Sequence, residues 1–148
     1  MIGVATAPHW SGPYTRAQLP TTAQMRQQAQ EDPFVFQDPR GNFHMLTHTM
    51  QRGDSVGLHA WSRDGRNWTM ATPKTAYTKT VLWADGSNTT FAERERPVLV
   101  FDQNGHPTHL INGVRLRQSP PPLSSSRLGG GSFPNAPTYT IVVPLVTA

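Results

Sequence analysis

The chain has 148 residues, a formal net charge of +4, no cysteine, and 14 prolines with 12 glycines against 36% hydrophobic residues. One domain is the default at that length, and the turn-rich composition argues for an all-β protein rather than a helical one. Disulfides and thiolate metal sites are excluded, no apolar run of about 18 residues marks a membrane span, and the basic residues are scattered rather than gathered into a nucleic-acid face.

Taken in chain order, Ile2–Ala7 is a short strand-like run that ends in the turn-rich stretch Pro8–Thr15. Residues 16–30 are rich in Gln, Ala and Thr without an apolar stripe, so a connecting loop with some helix in 22–30 is expected. Glu31–Leu46 reads as a β-hairpin: an acidic residue, a proline at the strand entry, the apolar run Phe34-Val35-Phe36, the turn Asp38-Pro39-Arg40-Gly41 and a returning strand. Val56–Trp61 then repeats the pattern of the first strand. Gly57 stands where Gly3 does, and the polar turn Ser62–Asn67 leads to Trp68-Thr69 as the earlier turn leads to Tyr14-Thr15.

Ala76–Trp83 is a further β segment closed by Asp85-Gly86, a strong hairpin signal. Glu95–Leu110 aligns without a gap on Glu31–Leu46, matching the acid, Pro97, the turn Asp102 and Gly105, and the closing Leu. The Ser-, Pro- and Gly-rich stretch 118–136 lacks the residues to bury a core and is expected to be a disordered excursion. Thr138–Val146 is rich in β-branched residues and suits a strand. Repeats of several short antiparallel strands are how propeller blades look in sequence. The expectation is a partial β-propeller over 1–148, with about two blades.

Those motifs resemble the five-bladed β-propeller glycosidases, most nearly glycoside hydrolase family 43, over about residues 1–112 plus the last strand. Asp32-Pro33 with Phe34-Val35-Phe36-Gln37-Asp38 and Gly41 is similar to the family's Asp-Pro blade start, and Glu95-Arg96-Pro97 to its Glu-x-Pro start. Ile2–Ala7 with Gly12-Pro13-Tyr14, and Ala60–Asp64 with Trp68, resemble the third and fourth strands of a blade. The resemblance implies that Glu95 is the general acid and that Asp32 orients it and adjusts its acidity. It also implies a catalytic aspartate on a blade that would precede Met1. The family carries a small residue where this chain has Arg96.

Glycoside hydrolysis needs a protonated carboxyl for the leaving oxygen and an ionised one to activate water, about 6.5–9.5 Å apart in an inverting enzyme. Arg94 and Arg96 flank Glu95 and would oppose its role as an acid if they touched it, but in an extended strand both face away from it, while Glu93 shares its side. Trp61, Arg96 and Asn112 are the candidate substrate-binding residues; recurring tryptophans also serve as packing between blades. Asp38, Asp64 and Asp102 read as turn residues. His44, His48 and His59 lack the helical spacing of a zinc site, so neither metal nor cofactor is expected.

The expected function is that of a fragment of a glycoside hydrolase-like propeller acting on a glycan and inactive in isolation. A carbohydrate ligand is the expected partner, and self-association through open blade edges is plausible on physical grounds. The alternatives are a non-catalytic carbohydrate-binding or scaffold propeller, with Arg94 and Arg96 marking the loss of catalysis, and a spurious frame with no cooperative fold.

Overall fold

The computed structural model describes residues 2–16, 29–50, 53–71, 74–117 and 137–145. Among these the chain is all-β, with twelve strands and no helix. The expected partial helix at 22–30 and the excursion at 118–136 lie almost wholly outside the described residues.

The first sheet is an antiparallel meander of β3 (Gln30–Gln37), β4 (Phe43–Thr49), β5 (Ser55–Ser62) and β6 (Thr69–Met70). A further strand, β7 (Tyr77–Thr78), also pairs with β5, at the opposite end from β6, so the outer strand is interrupted. The second sheet is β10 (Glu93–Phe101), β11 (Pro107–Arg115) and β12 (Thr138–Pro144). Two small hairpins flank these sheets, β1 (Ala5–Thr6) with β2 (Thr15–Arg16), and β8 (Thr80–Leu82) with β9 (Asn88–Thr90). Among the described residues none of the sheets is closed into a barrel or ring.

Strand alternation decides what each sheet covers. On one face of the first sheet Met45, Ala60, Trp68 and Met70 are buried against Ile2, Val4, Phe43 and Leu58. On the other, Leu46 and Tyr77 meet Leu99 and Leu110 of the second sheet, and Phe36 meets Phe101 ring to ring at 5.2 Å. Val81 and Phe91 complete the core on Val114 and Ile141. The opposite face of the second sheet stays open: Val98 pairs with Ile111 and Ile111 with Val142, and Val98, Val100 and Val142 are exposed.

The hairpin repeat is present in three dimensions and includes a feature that its sequence does not announce. In both copies the register slips directly after the acid, between Glu31 and Phe34 and between Glu95 and Val98. At each slip the residue before the proline is left-handed, Asp32 at φ 51° and Arg96 at φ 53°. Two residues on the first strand thereby oppose one on its partner, which is a β-bulge. A second irregularity, between Val100 and Phe101, leaves Thr108 as an extra residue on β11. The gap-free alignment therefore fails beyond the turn. The bulge acid Glu31 pairs with His48 and Glu95 with Gly113, so the counterpart of Leu46 is Ile111 rather than Leu110.

Gly57 is required by a close approach. A Cβ built on it would overlap the Tyr77 ring, which is buried on the adjoining strand. Gly57→Ala is expected to cost about 1–3 kcal/mol, the range for overpacking a core, read as a lower urea midpoint. The loss should be clearly smaller when the same change is made in a Tyr77→Leu background.

Candidate functional site

The second bulge carries the strongest constellation of titratable groups. Glu93 and Glu95 lie two apart on β10 and share a face, where they pair across the ladder with Arg115 and Gly113. With Arg96, Thr138, Tyr139 and Thr140 they line a cleft of about 340 Å³. Because Gly113 has no side chain, the space opposite Glu95 is open.

The two carboxyls are driven apart in acidity. Burial, and then the charge of Glu93, push Glu95 above the usual carboxylate range, and the charge of Asp32 adds to this in the same direction. Glu93 is held below it, first by hydrogen bonds from Arg115. Arg115 grips Glu93 with both Nε, at 2.9 Å, and Nη2. Two neighbouring carboxyls whose environments push their acidities in opposite directions are the arrangement acid–base catalysis uses.

The flanking arginines behave differently from one another. Arg94 faces away from Glu95, as an extended strand requires. It is buried, donates from Nε to Asn112 Oδ1 (2.9 Å) and from Nη1 to the Thr78 carbonyl (2.9 Å), and its guanidinium lies 5.0 Å from the Tyr77 ring centroid. Arg96 departs from the expected orientation. Its left-handed backbone breaks the alternation, and Nη1 comes within 3.2 Å of Glu95 Oε2. The guanidinium is largely exposed, so the pair is screened by solvent and burial prevails in setting the acidity of Glu95.

Two of the candidate substrate-binding residues do not reach this cleft. Asn112 is fully buried; besides accepting from Arg94 it donates from Nδ2 to the Glu95 carbonyl (3.2 Å), so it braces the bulge from behind. Trp61 pairs with His44 near the turn end of the first sheet, four ladder positions from His48, or roughly 13 Å along the strand. Arg96 does line the cleft, and Asp32 stands close enough for its charge to act on Glu95.

Arg115 carries no signal in the sequence, and His48 is met there only as a histidine without zinc spacing. The only signal pointing to Glu93 is its two-residue spacing from Glu95. His48 acts electrostatically on both glutamates although it belongs to the other sheet. The turn aspartates behave as expected: Asp38 accepts from the Arg40 and Asn42 amides, Asp64 from Arg66 and Asn67, and Asp102 from Asn104 and His106. A larger groove of about 640 Å³ opens at the turn end, where His44 lies between Asp38 (3.3 Å) and His59 (2.9 Å). Among its described lining residues there are no paired carboxyls.

No match to the chain is found among protein-family models, curated proteins or solved structures, so function is argued from geometry.

The shift of Glu95 fixes a sign for pH dependence. A carboxyl raised in the folded state destabilises the fold above its folded pKa, and the cost vanishes below the unfolded value near 4.5. Glu95→Gln is therefore expected to stabilise the protein at pH 7, with the gain disappearing as pH falls below about 4.5. Thermal melts of the two proteins across pH 3–8 measure this. A carbon-detected NMR titration should place Glu95 above 4.5 and Glu93 below it.

Proposed function

We propose that the chain is a portion of a five-bladed β-propeller protein of the glycosidase type, acting on a glycan, with Glu95 as general acid and Asp32 as the residue that adjusts its acidity. The first and second sheets are then consecutive blades, the first with an interrupted outer strand and the second with three described strands. The observation that supports this most directly is the cleft carboxyl Glu95, raised by burial and by the charges of Glu93 and Asp32 and open to a ligand across Gly113.

In this scheme Glu95 donates its proton to the glycosidic oxygen as the bond to the anomeric carbon breaks, and the ionised partner that activates water is supplied from outside the described residues. Exposed Tyr139 offers a face for a sugar ring at the cleft wall, and Arg96 offers donors to ring hydroxyls. One observation favours a second reading, a propeller that binds carbohydrate without cleaving it: the guanidinium of Arg96 is already paired with Glu95, which opposes its protonation.

The isolated chain is expected to release no aryl alcohol from aryl glycosides. Turnover that is lost in Glu95→Gln would overturn the expected inactivity while supporting the acid. For the binding reading, a glycan array should show ligands whose affinity falls by about two- to tenfold in Tyr139→Ala, the scale of one lost stacking contact. Glycan binding insensitive to Tyr139 and Arg96 would exclude this cleft as the site.

A further inference from the structure

The first bulge differs from the second in chemistry while sharing its backbone. Glu31 corresponds to Glu95, Asp32 to Arg96 and His48 to Gly113. In the second copy the acid has a cation of its own in Arg96. In the first, the guanidinium is replaced by another carboxylate and an imidazole stands opposite, so three donors face one another with no arginine or lysine among them.

Their spacing is slightly wider than that of a coordination shell, so a small closure of the side chains would complete one. One donor atom each from Glu31, Asp32 and His48 lie within 4.8 Å of one another, and an octahedral ion at about 2.1 Å from its ligands places them about 3 Å apart when adjacent and about 4.2 Å when opposite. Neighbouring residues of a regular strand point to opposite faces and could not both serve one ion. The left-handed Asp32 lifts that restriction, and Glu31 already sits directly across the ladder from His48.

The independent observation concerns His48. Its side chain is only 6% exposed, and its Nδ1 is fully buried with no hydrogen-bond partner although Glu31 Oε1 lies 3.4 Å away. A buried ring nitrogen left in that condition calls for a ligand. A metal ion satisfies the imidazole lone pair and both carboxylates at once.

We propose that Glu31, Asp32 and His48 form a binding site for one divalent transition cation, clasping β3 to β4 at the bulge. Two carboxylates with one imidazole suit Mn²⁺ or Zn²⁺, whereas Ca²⁺ and Mg²⁺ take oxygen donors. The site does not depend on the glycosidase reading, and its test involves no substrate.

Calorimetric titration of the full chain with ZnCl₂ and with MnCl₂ is expected to show one saturable site. Glu31→Gln and Asp32→Asn should each weaken it at least about tenfold, since even outer-shell partners of a metal commonly cost that much. Glu31 is partly exposed, so its isosteric amide tests the ligand without emptying the core, and a metal-free melt checks that the variant folds. Substoichiometric Mn²⁺ should broaden the His48 ring signals ahead of those of His9, His106 and His109. The proposal is overturned by the absence of saturable binding at millimolar ion, by binding that both folded variants retain, by broadening centred on another histidine, or by Ca²⁺ binding more tightly than either transition ion.

Discussion

The buried guanidinium of Arg94 is the interaction on which the remainder depends. Among the described residues it has no carboxylate partner; its hydrogen bonds go to the Asn112 amide and the Thr78 carbonyl, and it lies over the Tyr77 ring. Burial lowers its pKa, yet an arginine remains charged in any protein interior. Such a group is costly to bury and more costly to orphan, so it tolerates few arrangements of its surroundings. It spans β10, β11 and β7 and locks the second sheet onto the first. Asn112, held by it, in turn grips the Glu95 carbonyl and so sets where the cleft carboxyl stands.

The corresponding place in the first sheet is filled by a neutral pair. Gln30 and Thr47 are both buried and hydrogen-bonded at 3.0 Å. One backbone solution, a polar brace behind a bulge that carries an acid and a left-handed residue before proline, is thus realised twice with different charge. The charged brace belongs to the bulge whose acid faces the open cleft, and the neutral brace to the bulge whose acid faces the interface between the sheets. Left-handed non-glycine residues are uncommon and carry strain. Their occurrence at matching positions marks the bulges as built features.

Much of the fold was legible because it rests on local chemistry. The Asp-x-x-Gly turns at Asp38 and Asp102, the strand-entry prolines and the β-branched run at 138–144 announce themselves through side chains whose backbone preferences are strong. The bulges were not legible, because neither Asp32 nor Arg96 is the glycine that usually signals positive φ. That omission carried through to the site. Assuming an unbroken strand turned Arg96 away from Glu95, placed Asn112 toward the pocket instead of behind the bulge, and carried the pairing of Leu46 with Leu110 past an extra residue. His48 is not legible as a ligand for a related reason: the recognisable metal spacings run along a helix, whereas its neighbours are contributed across a ladder and by a kink. Whether the two sheets belong to a propeller is a question of how further sheets are arranged around them, which no local motif encodes.

The register that makes the two hairpins equivalent also gives their stacking a direction. The face of the first sheet that bears Phe34 and Leu46 is covered by the second sheet, and the same face of the second, bearing Val98 and Ile111, is not covered by any other sheet among the described residues. The two sheets therefore stack in one direction, the first presenting this face and the second receiving it on its other face, like bricks with a stud and a socket. Inverting one layer would set stud against stud and leave Arg94 facing water instead of an aromatic ring.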